Sequence, residues 1–251
     1  MGFFGPGAIG TATAADVLSG YTFSNSTQTG IAGTMPNNGT LNTATTGVYP
    51  AGYYSSVHIP GWMTLASDTT ARYLLAAAYD SSANLTYAID GNNAGYLSTV
   101  TAYSHSSNSW TAMASDTTAR EELAAAYDSS ANLTYAIDGN NGGYLSTVTA
   151  YSHSSNSWTA MASDTTARYC LAAAYDSSAN LTYAIDGDSS SGYLSTVTAY
   201  SPTSNSWTAM ASDTTGRIWL AAAYDSAQDM TYVIDGDVNG NGISTLTGYV
   251  Y

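Results

Sequence analysis

The chain contains no lysine, and its only basic residues are Arg72, Arg120, Arg168 and Arg217. Against them stand 18 acidic residues, for a net charge of −14. Binding to nucleic acid or to an anionic membrane draws on clustered cations and counterion release, so neither partner is expected. A single cysteine, Cys170, excludes an internal disulfide. No apolar run is long enough to span a bilayer, so membrane insertion is not expected. The opening MGFFGPGAIG is apolar but has no basic residue and is broken by Gly and Pro. It reads as a buried or self-associating tail rather than a signal peptide. The three histidines, His58, His105 and His153, have no Cys or carboxylate beside them in a metal-binding or nucleophile-activating pattern.

What is present is a hydrophobic fraction of 44% in 251 residues, enough for one large all-β domain or two smaller units. There is also a repeat. TTARYLLAAAYD at 69–80 returns as TTAREELAAAYD at 117–128, TTARYCLAAAYD at 165–176 and TTGRIWLAAAYD at 214–225. Trp62, Trp110, Trp158 and Trp207 are separated by 48, 48 and 49 residues, and the four Arg by the same steps. Each unit reads as four short strands. LLAAAYD is bounded by DSSAN, LTYAID ends in a Gly-Asn or Gly-Asp turn, YLSTVTAYS follows, and SHSSNS leads into SWTAMAS. The alanines suit a crowded inner strand near a central axis.

Arg72 at the first strand, Tyr87 with Gly91 closing the second, Tyr103 in the third and Trp110 in the fourth resemble the kelch repeat, as do their later copies. The resemblance covers residues 62–251 and implies a β-propeller. Two features depart from the family. Asp-Gly (Asp90-Gly91, Asp138-Gly139, Asp186-Gly187, Asp235-Gly236) replaces its Gly pair, and four copies stand where six or seven blades are usual. The last copy stops after its third strand, while a spare Trp strand, Gly61-Trp62-Met63-Thr64, precedes the first. The expected fold is therefore all-β: a four-bladed kelch-like propeller over 61–251, closed by Gly61–Ala66 pairing beside Ser244–Tyr251. Exchange of that strand with a neighbouring chain would satisfy the same edges.

Residues 1–60 lie outside the repeat and form a second, small β-rich or irregular unit, with a short helix expected over Ala14–Leu18. TATAADVLSGYTFSN, TGIAGTMPNNGT and PAGYYSSVHIPG resemble a segment of bacteriophage tail-fibre and related virion proteins over residues 12–59. The resemblance implies attachment to other virion proteins and homo-oligomerisation, with a trimer favoured, and a virion location.

Some kelch propellers are copper oxidases, but they need a Tyr/His/Cys set that this chain lacks, so no enzyme is expected. No cofactor is expected. Calcium alone finds a partial motif: Asp235, Asp237 and Asn239 match the first half of a calcium loop, and Leu246 stands where its last acid should be. Arg72, Arg120, Arg168 and Arg217 should form a structural ring, each paired with the Asp of SDTTAR or of AIDG, because unpaired like charges there would be costly.

The two residues after each Arg vary although their surroundings do not: Tyr73-Leu74, Glu121-Glu122, Tyr169-Cys170 and Ile218-Trp219. In a propeller they share a face with the loops NNAG, NNGG, DSSSG and DVNGNG, which also vary. The opposite-face loops, DSSAN and SHSSNS, barely change. Bold changes gathered on one face suit recognition of a host-surface glycan or protein. The expected protein is a phage virion component that binds its host through this face. The alternatives are a capsid or tail decoration contacting neighbouring subunits and a bacterial surface adhesin.

Overall fold

The computed structural model describes residues 64–251 and four short strands before them. The chain divides into two compact units, Met1–Thr64 and Leu65–Tyr251. In the first, β1 (Thr22–Phe23) pairs antiparallel with β2 (Ile31–Ala32), and β3 (Thr40–Asn42) pairs parallel with β4 (Ser56–His58). Ala14–Leu18 lies outside the described residues.

The second unit is all-β, with four antiparallel sheets arranged as the blades of a β-propeller. Blade one is β5 (Ala76–Asp80), β6 (Leu85–Ile89), β7 (Val100–Ser104) and β8 (Ser109–Ala112). Blade two is β9 (Ala124–Asp128), β10 (Leu133–Ile137), β11 (Val148–Ser152) and β12 (Ser157–Ala160). In blade three, β13 (Ala172–Asp176) and β14 (Leu181–Ile185) are followed by a small β15–β16 hairpin (Asp188–Ser189 and Gly192–Tyr193). Its sheet is completed by β17 (Val197–Ser201) and β18 (Ser206–Ala209). Blade four has three strands, β19 (Ala221–Asp225), β20 (Met230–Val238) and β21 (Asn241–Tyr249).

The inner strands are alanine-rich because they crowd together: β5 lies against β9, β9 against β13 and β13 against β19. Larger side chains fill the seams farther out. Tyr87, Tyr135 and Tyr183 meet Tyr151, Tyr200 and Tyr249 of the next blade at ring separations of 5.5, 5.1 and 5.4 Å. Trp158 and Trp207 close the first two seams. β19 makes no comparable contact with β5, so blades one and four present open end faces among the described residues. Of the expected closing strand, Gly61–Met63 lie outside the described residues, and Thr64–Ala66 are not in a strand. Ala66 is held at blade one, its N–H donating to Asn108 and its carbonyl accepting from the Trp110 indole, as Ala114 beyond β8 is held at blade two.

The strands begin four residues after each Arg, later than the repeat suggests, because the intervening residues cross from blade to blade. Gly139 shows how tight that crossing is. Its φ is +104°, and a Cβ there would lie 2.8 Å from the Glu121 carbonyl oxygen. Gly91 and Gly187 repeat the geometry, at 2.7 and 2.8 Å. This accounts for the glycine of each Asp-Gly pair. Gly139→Ala should lower stability by about 2 kcal/mol in denaturant unfolding. Gly143→Ala, where an added Cβ meets nothing within 4 Å, should leave it nearly unchanged.

Candidate functional site

The crossing segments carry the varied pairs. The first member of each bridges to the varied segment beyond the Asp-Gly pair of its blade: Tyr73 to Asn92, Glu121 to Asn140, Tyr169 to Asp188 and Ile218 to Asp237. Varied pair and varied loop are thus physically joined. The second members form a backbone chain from blade to blade. Glu122 N–H donates to Leu74 C=O, Cys170 to Glu122 and Trp219 to Cys170, at 2.9, 2.9 and 3.1 Å. All four are left-handed, with φ of 54°, 53°, 54° and 54° for Leu74, Glu122, Cys170 and Trp219. Glycine is the usual occupant of such a conformation, and side chains there are held at a cost. Those side chains, with Leu75, Leu123 and Leu171, line one pit of about 160 Å³ where the blades converge.

The pit is mixed in character. Trp219 is 64% exposed and Tyr73 57%, whereas Leu74 is only just exposed and Glu121, Glu122 and Tyr169 are half-buried. Burial raises the Glu122 carboxyl above its ordinary value, against the opposing contacts of Cys170 and Trp219. Cys170 and Ile218, both expected on this face, are buried at 5% exposure. Cys170 packs into the wall of the pit, and burial pushes its thiol up, so it is not an available thiolate. Three residues of this face were overlooked in the sequence: Tyr96, Tyr144 and Tyr193 are exposed, and Tyr144 lies 5.3 Å from the Tyr169 ring. They repeat within YLSTVT and so read as third-strand residues, although that strand starts only at the Val.

The constancy of the opposite loops has its own cause. Asp80 accepts from the N–H groups of Ser82 and Ala83 in DSSAN, and Asn84 takes φ 55°. In SHSSNS, Asn108 accepts from both Tyr103 Oη and Ala66 N–H. Each such side chain completes a turn or fastens a linker. The varied pairs share a backbone pattern that does not depend on which side chain they carry, so their side chains differ from copy to copy.

The arginines lie inside the seams. Arg120, Arg168 and Arg217 are fully buried, and each meets two carboxylates. One comes from the preceding blade, at 3.3 Å for Arg120–Asp90, 3.5 Å for Arg168–Asp138 and 3.2 Å for Arg217–Asp186. The other is four residues earlier in the chain: Asp116 at 2.6 Å, Asp164 at 2.9 Å, and Asp213. Among the described residues Arg72 pairs with Asp68 alone, at 3.3 Å. Two carboxylates share one cation, in a site without water-like screening. Burial, and then the neighbouring Asp116 carboxylate, push Asp90 up to about 9. Asp186 rises to about 8 for the same reasons, with Asp213 as its neighbour. Asp138 is also raised well above the carboxylate range by burial and Asp164. Near neutrality the preceding-blade Asp therefore keeps its proton.

Asp235 and Asp237 lie within strand β20, and Asn239 lies in the turn leading to β21. Asp237 accepts from Gly240 N–H. The segment is a β-hairpin turn, and among the described residues no three His, Cys, Asp or Glu side chains gather around a point that could hold a metal ion. No family model and no curated protein matches this chain.

Proposed function

We propose that the protein is a non-enzymatic component of a phage virion whose propeller binds a host-surface glycan or protein through the pit and its aromatic rim. The observation that carries this reading is the gathering of the varied side chains. Four left-handed backbone positions hold Leu74, Glu122, Cys170 and Trp219 around one pit, with Tyr73, Tyr96, Tyr144, Tyr169 and Tyr193 on the same face. Flat aromatic faces with polar tips stack on sugar rings and anchor protein contacts. Asn92 and Glu121, 2.6 Å apart, add hydrogen-bonding groups beside them. The net charge of −14 favours a neutral or cationic ligand over an anionic one. Attachment to other virion proteins is assigned to residues 1–60 on their resemblance to tail-fibre segments, and calcium is not required by this reading.

Glycan-array and bacterial-cell binding test it. Tyr73→Ala, Tyr169→Ala and Trp219→Ala should each weaken binding, by about 2 kcal/mol or roughly 30-fold for a central anchor. The melting temperature should change little for the exposed Tyr73 and Trp219. Ser106→Ala and Ser154→Ala, in the opposite-face loops, should bind like the parent. Equal binding by both sets would remove the pit from consideration.

A further inference from the structure

We propose that the two open end faces of the propeller are the halves of one interface, and that a second copy of this chain occupies each of them head to tail. The three seams inside the chain define both halves. The outgoing half presents an Ile and a Val that are almost fully covered: Ile89 1% and Val100 2%, Ile137 0% and Val148 2%, Ile185 1% and Val197 5%. Their counterparts on blade four, Ile234 and Leu246, are 38% and 64% exposed. The incoming half presents Leu123 at 6% and Leu171 at 7%, whereas the counterpart on blade one, Leu75, is 38% exposed. Tyr79 of blade one is likewise 50% exposed, where Tyr127 and Tyr175 are half-buried.

The polar groups are divided in the same way. Each internal seam joins an Asp of the outgoing blade to an Arg of the incoming blade. Among the described residues the exposed Asp235 of blade four has no Arg, and Arg72 has no Asp from a preceding blade. The backbone chain through the pit ends at the Leu74 N–H on one side and the Trp219 carbonyl on the other. His153 of blade two places Nδ1 3.0 Å from Tyr87 of blade one, and His105, its counterpart on blade one, is exposed. A blade one set against a foreign blade four would bring together Asp235 with Arg72, Trp219 with Leu74, and Tyr232 with His105 and Tyr103.

A groove of about 110 Å³ beside blade four belongs to the same vacancy. It is lined by Ile185, Val197, Ala211, Val233, Gly248 and Tyr249. In the complete blades, a fourth-strand Asn and Trp clamp the equivalent linker alanine. Ala114 bonds Asn156 and Trp158, and Ala162 bonds Asn205 and Trp207, all at 2.8–2.9 Å. Ala211 has no such clamp among the described residues.

A second copy fits better than closure of the chain on itself. The blades meet through three nearly identical buried seams, and with those seams in place β19 and β5 make no contact comparable to that between the other neighbouring inner strands. Self-closure would have to alter every seam, whereas a second copy repeats one. An interface of unlike halves closes into a ring or extends as a filament.

The full chain is compared with Leu75→Asp and Leu246→Asp variants by analytical ultracentrifugation. The parent should sediment as an assembly, and each variant should lose at least tenfold in association. An equimolar mixture of the variants should regain a two-chain species, because it retains one unblemished junction. Circular dichroism should show the same fold in all three, since both side chains are exposed in the free chain. A parent that sediments at the 26.0 kDa of one chain overturns the proposal. So does an assembly that both variants leave intact, which would place association elsewhere, or a mixture that does not recombine.

Discussion

Arg120→Ala should be the most damaging single substitution in the propeller. The guanidinium lies between Asp90 at 3.3 Å and Asp116 at 2.6 Å, and it donates to the carbonyls of Asp138 and Thr147 at 3.1 and 2.8 Å. Removing it leaves the buried Asp116 carboxylate without its counter-charge, and the buried Asp90 carboxyl and Asp138 carbonyl without their guanidinium donor. Breaking a buried pair from one side costs about 3–5 kcal/mol. In a domain of this size that is a fall in melting temperature on the order of 10 °C. Arg72→Ala should cost distinctly less, because among the described residues Arg72 has no carboxylate from a preceding blade and Asp68 keeps 20% side-chain exposure. Equal losses at the two positions in calorimetry would show that the seam ion pairs do not hold the blades together.

Raising the pH should destabilise the protein from mildly acidic conditions onward. Asp90 and Asp186 have folded values of about 9 and about 8, against an ordinary 3.8, and Asp138 is shifted the same way. A raised carboxyl contributes stability that is complete below its unfolded value and lost as pH climbs through its folded value. Between those limits the native state holds a proton that the unfolded chain has released, and stability falls by at most about 1.4 kcal/mol per pH unit for each such proton. The opposite sign applies to Asp80, Asp213 and His153, whose folded values are lowered. Their contributions are present above the unfolded values and lost on acidification. The stability maximum should therefore lie near pH 4, about the ordinary carboxylate value of 3.8, with a steady decline toward pH 9 in urea midpoints. Asp90→Asn keeps a neutral group of the same shape and should flatten that slope. An unchanged slope would mean that Asp90 is ionised in the fold.

The fold was legible because its signals are local. Alternation in LTYAI, the Asx turn in DSSAN and the recurring Arg and Trp each act within a few residues, and a 48-residue repeat multiplies them. The pairing of each Arg with an acidic residue followed from charge alone, since a buried cation demands a partner. That it takes both candidate aspartates, one from each side of a seam, depends on how adjacent blades meet. The varied pairs were conspicuous in the sequence because everything around them is copied. Their burial was not, since Cys170 and Ile218 are 5% exposed while Trp219, in the same local context as Cys170, stands 64% exposed. Tyr96, Tyr144 and Tyr193 were hidden by the same sameness, since nothing local separates a strand residue from the loop that enters it.

The sequence by itself determined the strands, the turns, the number of blades and the residues that differ among them, because backbone conformation and hydrophobic alternation are written over short distances. Only the tertiary structure decided which carboxylates share a cation, which varied side chains reach the pit, and that blades one and four stand open. Those depend on the rotation from one blade to the next, a quantity set by packing between residues some fifty positions apart.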